Sequence, residues 1–339
     1  MQADRGRAVA DLVLTDTSTS SHQAWVSRAK ALSRLQISDK AFFQLTRGAA
    51  IFVLVLLGAI IVSLIIGAVP ALQKFGFGFL VSERWNPVTE NFGALAPIYG
   101  TVVTSLIAMI IAVPLGLLIT LFLTEICPTW LRSPIGIAIE LLAGIPSIIY
   151  GIWGLFVFAP FLQRTLQPFL ISVFGEIPVL STLFAGPPYG IGVLTSGLIL
   201  AIMVLPFITS ISRDVFEAVP PMLKEAAYGL GFTTWEVVRY VVLPYARVGV
   251  IGGVMLGLGR ALGETMAVTF VIGNAHKVSS SLLAPGTTIS ATIANEFTEA
   301  VGDIYTSSLI ALGLLLFCIT FIVLAIARYM LMRIERRIG

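Results

Sequence analysis

The chain has 339 residues, of which 57% are hydrophobic and only 12% are charged, and its mean hydropathy is +0.96. Soluble domains carry about 25% charged residues, so this composition excludes an ordinary soluble domain. The formal net charge is +3, and we expect no nucleic-acid partner. The apolar residues are gathered into long runs, which predicts an all-α polytopic membrane protein, because helices satisfy their own backbone hydrogen bonds in lipid.

Six runs are long enough to be transmembrane helices. Each has at least about 20 residues, which is the length needed to cross roughly 30 Å of hydrocarbon. In chain order the predicted spans are 48–69, 98–124, 134–159, 187–212, 248–273 and 305–327.

The remaining segments divide the chain into four parts. Residues 1–47 are polar and form a cytoplasmic tail without a cleaved signal peptide, so the first span starts insertion uncleaved. Within this tail, 25–45 fits either an interfacial helix or a solvated tail. Residues 48–97 hold the first span and an external loop. Residues 98–327 form a five-helix core with a cytoplasmic loop at 213–247, and 328–339 form a second cytoplasmic tail.

A seventh apolar run, 166–186, is excluded as a span by charge. With six spans and the N-terminus inside, 16 of the 21 Lys and Arg residues lie on the cytoplasmic side and four lie outside. A seventh span would reverse every later segment and destroy this bias, which normally favours the cytoplasmic side. We therefore expect six spans, both termini in the cytoplasm, and 166–186 as an external loop or interfacial segment.

The loop at 213–247 contains signals for a helix, a glycine turn and a second helix. Pro220 and Pro221 suit the start of a helix, Gly231 suits its end, and Thr233 with Glu236 has the spacing of a capping box. We expect the second helix to run through 242 and Pro244 to precede the next span. The loop also carries more apolar residues than it can bury alone, which indicates a protein partner: Leu223, Ala226, Ala227, Leu230 and Phe232.

The same loop carries a recognisable pattern, in which Glu225-Ala-Ala is followed by Gly231 and by Val-x-Leu-Pro ending at Pro244. The pattern resembles the cytoplasmic coupling loop of ABC importer permeases, with Val241 where that family usually has isoleucine. The resemblance implies contact with a separate ATPase through Glu225, Ala226, Ala227, Gly231, Leu243 and Pro244. The alternative is an ordinary helical loop that packs only on its own bundle.

Three further stretches, 94–105, 136–154 and 258–270, are similar to the C-type permease subunit of bacterial phosphate-specific ABC transporters. The similarity runs from about residue 53 to 333. It implies a type I importer in the bacterial cytoplasmic (inner) membrane, surrounded by lipid. The implied partners are an A-type permease, two ATP-binding cassette subunits, an external phosphate-binding protein and inorganic phosphate. ATP and Mg are then used by the ATPase subunits, and this chain needs no cofactor and is not an enzyme.

Only three charged residues, Glu140, Arg260 and Glu264, lie within the predicted spans. Intramembrane charges need a partner or a function. Arg260 lies near mid-depth and its spacing from Glu264 predicts a pair on one helix face, beside a small-residue strip at Gly253 and Gly257. Given the resemblance, Arg260 and Glu264 are candidates for the substrate pathway, since a guanidinium matches phosphate oxygens. The alternative is a structural clamp. For Glu140 we expect a structural pairing.

Prolines inside two predicted spans, Pro114 and Pro146, predict kinks that free backbone carbonyls. Ser147 and Tyr150 are the nearby side chains that could bond to those carbonyls or line a pathway.

No pattern in the sequence supports catalysis or a metal site. His22 and His276 have no companions at ligand spacing, and no G-x-x-x-x-G-K-[ST] motif is present. An intramembrane enzyme would need a nucleophile or metal set in the spans. Two alternatives stay open: an ABC permease for another oxyanion, and an ATP-independent secondary anion transporter.

Overall fold

The computed structural model describes the backbone of residues 2–335 and the side chains of 39–333 except Val179. In this part of the chain the only pairing of extended segments is an isolated bridge between Asn86 and Asn91. Fifteen helices are described: α1 Gln2–Phe75, α2 Gly78–Val81, α3 Leu95–Leu121, α4 Thr129–Ala143, α5 Ser147–Trp153, α6 Ala159–Arg164, α7 Leu166–Phe174, α8 Pro178–Leu183, α9 Val193–Glu217, α10 Pro221–Gly229, α11 Thr234–Val237, α12 Leu243–Gly263, α13 Met266–Val271, α14 Ile289–Glu296 and α15 Asp303–Glu335.

Six helical stretches within the described residues are long and apolar enough to cross a membrane, which confirms the predicted number and the all-α class. They are Asp39–Phe75, Leu95–Ile126, Ser147–Phe174, Val193–Glu217, Thr234–Gly263 and Asp303–Arg333. The sidedness of the termini stays a prediction.

The chain divides into two compact units, residues 1–63 and 64–339. In the first unit, the described side chains at 39–63 are exposed or partly exposed and form no core of their own. The second unit holds the packed core.

Close helix packing in the second unit depends on the predicted glycine strip of α12. A Cβ added to Gly253 would lie 2.9 Å from Cγ2 of Ile211, and one added to Gly257 would lie 2.9 Å from Cγ1 of Ile208. Both isoleucines belong to α9. Only glycine therefore allows α9 and α12 to approach this closely, and this prediction is confirmed.

The third predicted span, 134–159, is wrong in its position. The helix ends at Ala143, and a new one begins at Ser147 after Gly144-Ile145-Pro146. Pro146 lacks an amide hydrogen and cannot donate to the Leu142 carbonyl, which accepts a hydrogen bond from the Tyr150 hydroxyl at 2.9 Å besides those from nearby backbone amides. Of the two roles predicted for Tyr150, the hydrogen bond to a carbonyl beside the proline is observed, but the proline separates two helices instead of kinking one.

The segment 166–186, predicted to be an external loop or an interfacial segment, is largely helical. α7 occupies its first half and continues the third apolar stretch, Ser147–Phe174, while α8 lies beyond it. The third apolar helical stretch therefore lies closer to the C-terminus than the predicted span, and the number of spans is unchanged.

The fifth predicted span, 248–273, differs at both ends. A continuous helical stretch runs from Thr234 to Gly263, so the helix that contains the fifth predicted span begins inside the loop at 213–247. It then stops, because Glu264 takes an extended conformation with ψ 131° before the short helix α13 begins. The predicted continuation of one helix to 273 is wrong, while the point at which this helix enters the membrane stays a prediction.

Within residues 2–335, three π-helical turns interrupt the long helices, at Phe122–Ile126, Gly154–Phe158 and Val238–Val242. A proline lies two residues after each turn, at Pro128, Pro160 and Pro244. A proline cannot donate to the carbonyl four residues earlier, and its ring would collide with that carbonyl. The wider π turn moves the carbonyl aside, so two of the helical stretches pass their proline without breaking.

Candidate functional site

The loop at 213–247 folds into two helical segments around a tight turn, which we call the coupling knob, residues 220–242. Its first helix begins at Pro221 and is followed by Gly231 with φ +87°. Nothing lies within 4 Å of the position that a Cβ on Gly231 would take. Glycine is thus required for its backbone conformation and not for space, as predicted.

The second half of the coupling knob opens with the predicted capping box. The Thr233 amide donates to Oε2 of Glu236 at 2.8 Å, and the Glu236 amide donates to Oγ1 of Thr233 at 3.4 Å. From here the helix continues through the π turn into α12, where Leu243 and Pro244 are the first residues. These two candidate residues therefore lie where the coupling knob joins the helix that contains the fifth predicted span.

The residues predicted to contact a partner divide into an inner and an outer set. Ala227 is buried against Phe216, Val219 and Val237, so its predicted place on the partner surface is wrong. The helix turns this one alanine inwards and leaves the rest of the face open. Glu225, Ala226 and several large apolar side chains are exposed: Met222, Leu223, Tyr228, Leu230, Phe232 and Trp235. The prediction that the knob cannot bury its own apolar surface is confirmed.

An ion pair that the sequence did not reveal ties the coupling knob to the second span. Lys224 Nζ on α10 lies 2.6 Å from Oε1 of Glu125, whose side chain is only 6% exposed. Glu125 lies in the π turn that follows α3. The two residues are 99 positions apart, and the only available signal was an acid at the predicted end of an apolar run.

The predicted pair of Arg260 and Glu264 does not form. The i,i+4 argument requires both residues on one helix, but α12 ends at Gly263. Among the described side chains no ion pair joins the two. Instead, Oε1 of Glu264 accepts a hydrogen bond from the Ala267 amide at 3.3 Å and so caps the start of α13.

Arg260 packs on an aromatic ring and faces an open groove. Its guanidinium carbon lies 4.5 Å from the centroid of the Phe207 ring, a cation–π contact between α12 and α9. The side chain also lines a groove of about 870 Å³ between α12 and α15. The groove is lined by Gly252, Met255, Leu256, Gly259, Arg260, Leu324, Arg328, Leu331 and Met332.

Glu140 is paired, as predicted. Its Oε1 lies 3.4 Å from Nη1 of Arg213, which also contacts Glu217 at 3.1 Å. The contact joins α4 to the end of α9 and gives Glu140 a structural role.

A second cluster, missed by the sequence analysis, surrounds Glu296 at the end of α14. We define the Glu296 cluster as Trp85, His276, Glu296 and Tyr305. One carboxylate oxygen contacts His276 Nε2 at 2.7 Å, while the other accepts from the Tyr305 hydroxyl at 2.8 Å and from the Trp85 indole. The Trp85 and His276 rings stack with centroids 5.0 Å apart.

Three donors decide the charge state of Glu296. Burial by itself would raise the pKa of this carboxyl, but the hydrogen bonds from His276, Tyr305 and Trp85 outweigh it and lower the pKa below its usual range. Sequence spacing could not find this cluster, because the four residues come from four separate segments. Within the described part of the chain, no group of three or more His, Cys, Asp or Glu side chains is placed to hold a metal ion.

Comparison with known proteins identifies the family. The family model described as binding-protein-dependent transport system inner membrane component matches residues 112–336. A relative from Mesorhizobium japonicum, named phosphate transport system permease protein PstC, is 71% identical over 92% of this chain and 96% of its own length. A relative of the same name from Pasteurella multocida is 58% identical over 89% and 94%.

A solved structure supports the fold alone. It is that of a bacterial ABC transporter involved in the import of the acidic polysaccharide alginate, with a TM-score of 0.54 and 16% identity over 79% of this chain and 88% of that one. The predicted type I importer permease fold is confirmed. The chain therefore belongs to the family of binding-protein-dependent transport system inner membrane components.

Proposed function

We propose that this chain is the permease subunit of an ATP-driven importer and passes inorganic phosphate delivered by an external binding protein. The observation that carries the proposal is the 71% and 58% identity to relatives named as phosphate transport system permeases, each over about nine tenths of the chain. As a permease of this family, the chain is a transport subunit that works with ATPase and binding-protein partners. We further propose the finer composition: one A-type permease, two ATP-binding cassette subunits that use ATP and Mg, and the cytoplasmic (inner) membrane.

The coupling knob supports the contact with the ATPase. Its exposed face combines the carboxylate of Glu225 with apolar side chains such as Leu230, which is 79% exposed. A soluble partner surface that buries these side chains would stabilise the complex. Since the same helical stretch runs on through Leu243 and Pro244 into the fifth span, movement of the ATPase would reach Arg260 along one continuous helical stretch.

Arg260 is proposed as the anion contact in the substrate pathway. It has no ion-pair partner among the described side chains, and the Phe207 ring holds its guanidinium without neutralising it. Its planar fork of donors can therefore bind phosphate oxygens. We assign Glu264 a different part in the pathway from the one its spacing predicted: it caps α13 and fixes the break where the fifth span ends.

Two variants separate a pathway role from a structural clamp. Arg260→Gln should abolish uptake of radiolabelled phosphate while the complex still assembles with its ATPase. Glu264→Gln should retain some uptake, because an amide oxygen can still accept the bond from the Ala267 amide. If uptake falls only in step with the amount of complex recovered, Arg260 is a clamp and not an anion contact.

The substrate itself is tested with the reconstituted complex. ATP hydrolysis should rise when the binding protein is loaded with phosphate and should stay low with sulfate or molybdate. Stimulation by another oxyanion would assign the permease to that oxyanion. Uptake without any ATPase subunit would instead support a secondary anion transporter.

A further inference from the structure

The groove between α12 and α15 contains a second arginine whose position the proposed function does not explain. Resting on that function, we propose that Arg328 forms a second anion site in the pathway. This site would accept phosphate from Arg260 and pass it towards the cytoplasm. The groove lining contains both arginines, and its other members are glycine, leucine and methionine.

The register of α12 and α15 places Arg260 and Arg328 at different depths along the groove. A Cβ on Gly259 would lie 3.7 Å from Cδ1 of Leu324, so these two residues face each other across the helix contact and serve as the reference point for the register. Arg260 is one residue beyond Gly259, and Arg328 is four residues beyond Leu324 on the antiparallel helix. At 1.5 Å per residue, the two backbone positions differ by about 7 Å along the groove. On the predicted sidedness, Arg328 lies on the cytoplasmic side of Arg260.

The charges along this groove favour an anion. Neither arginine forms an ion pair with any side chain that the structure describes, and the described residues that line the groove include no carboxylate. Two cations that face one apolar groove repel each other, and an anion located between them relieves the repulsion. Arginine side chains are long enough to span an offset of about 7 Å, so an ion leaving one guanidinium can contact the next.

A helix anchor at the membrane surface is the simpler role for such an arginine, and Arg333 provides the matched control. Arg333 lies on the same helix, and its guanidinium carbon is 4.9 Å from the centroid of the Tyr329 ring. It does not line the groove. Five residues rotate a helix by about 140°, so the two arginines lie on different faces. An anchoring role would make the two arginines equivalent, whereas an anion site requires Arg328 alone.

The first test compares Arg328→Gln with Arg333→Gln in proteoliposomes that hold the whole complex. Arg328→Gln should lower phosphate uptake about tenfold per assembled complex, because a charged contact made during passage is lost. Arg333→Gln should stay within about twofold of the parent. Equal effects of the two variants would overturn the proposal. A parent complex that does not take up phosphate would instead overturn the proposed function, so the two failures are distinguishable.

A second test determines whether the positive charge at position 328 is what uptake requires. Arg328→Cys is prepared in a background without Cys127 and Cys318, then modified with a positively or a negatively charged methanethiosulfonate reagent. The positive reagent should restore uptake and the negative reagent should not, while Arg333→Cys should respond to neither. Equal responses of Arg328→Cys to both reagents would contradict the assignment. Both reagents act on the same assembled Arg328→Cys complex, so a difference between them reports the charge at this position and not a difference in folding.

The phosphate group at Arg328 could also belong to a lipid headgroup, which has the same chemistry as the free ion. We commit to the free ion. In vesicles of phosphatidylcholine alone, the loss of uptake in Arg328→Gln should persist. If the difference from the parent disappears without anionic lipid, the groove binds a headgroup and the proposal is wrong.

Discussion

The coupling knob and the Glu296 cluster hold their charged groups in different ways. In the knob, Lys224 has one charged partner, the buried carboxylate of Glu125 at the end of the second span, at 2.6 Å, and most of the exposed face of the knob is open. In the Glu296 cluster, one carboxylate receives three donors from three separate segments and is surrounded by stacked rings. The single ion pair of Lys224 can break and re-form independently of other polar contacts. The three hydrogen bonds to Glu296 hold three segments of the chain together at the same time.

This difference suggests a division of work within the second unit. A region whose only polar link to its neighbours is one ion pair can follow a moving partner, while a region fixed by a buried polar network gives that motion a rigid reference. Changes in the knob should therefore alter transport more than thermal stability. Changes in the Glu296 cluster should do the opposite. The following predictions test this contrast.

The largest effect is expected at the glycine turn of the coupling knob. Gly231→Val forces a β-branched residue to φ +87°, at a cost of about 1 kcal/mol or more. We expect the protein to reach the membrane, with uptake and ATPase association strongly reduced. Uptake and co-purification of the ATPase are the measurements.

Gly229→Val is the matched control for this change. Gly229 is the last residue of α10, has ordinary helical backbone angles and likewise has nothing within 4 Å of its added Cβ. Only the positive φ distinguishes the two sites. Equal losses in both variants would show that bulk on the knob surface, and not the turn conformation, causes the defect.

The next effect is expected at the ion pair between Lys224 and Glu125. Glu125→Gln leaves the ammonium of Lys224 without its charged partner, which costs about 2 kcal/mol. If the pair transmits motion from the knob to the second span, less phosphate should be transported per ATP hydrolysed. Exchanging the two residues, Lys224→Glu with Glu125→Lys, should restore part of that ratio. A normal ratio in Glu125→Gln would show that the pair only holds the knob in place.

The coupling knob could be predicted because its signals are local. Pro221, Gly231 and the Thr233–Glu236 box each act within about four residues, and neighbouring residues along the chain carry all the information. The glycine strip on α12 could be predicted for a similar reason, since helical periodicity alone places Gly253 and Gly257 on the same face of the helix.

The helix boundaries and side-chain pairs that were predicted wrongly or missed depend on contacts between residues that are far apart in the sequence. Hydropathy measures composition, and the residues on both sides of Glu264 are apolar, so nothing in a window marks the break there. The same window joined α4 to α5 across Pro146, which was interpreted as a kink. The pairing of Lys224 with Glu125 and the Glu296 cluster both join distant segments, and without the fold no spacing rule connects them.

A moderate effect on stability, with little effect on transport, is expected at Glu296. Glu296→Gln removes a charge that three donors stabilise, and we expect the melting temperature at pH 7 to fall by about 4 °C. Because the folded state lowers the pKa of this carboxyl, its contribution is complete above the unfolded value of about 4.3 and is lost as the pH falls further. The melting curves of parent and variant should therefore converge under acidic conditions. A constant gap at all pH values would contradict the role of the charge.

The smallest effect is expected at Glu140, which tests whether burial or charge alone gives an ion pair its importance. Glu140 contacts Arg213 at 3.4 Å, but its side chain is 55% exposed, against 6% for Glu125. Water screens such a pair, so Glu140→Gln should cost no more than about 0.5 kcal/mol. Arg213 also keeps its contact with Glu217 on the same helix at 3.1 Å, so no charge is left unpaired. Uptake, the transport-to-ATP ratio and the melting temperature should all match the parent. If Glu140→Gln lowers the amount of phosphate transported per ATP as much as Glu125→Gln does, then α4 and α9 transmit motion as well. The view that the Lys224–Glu125 pair alone transmits motion from the coupling knob would then be wrong.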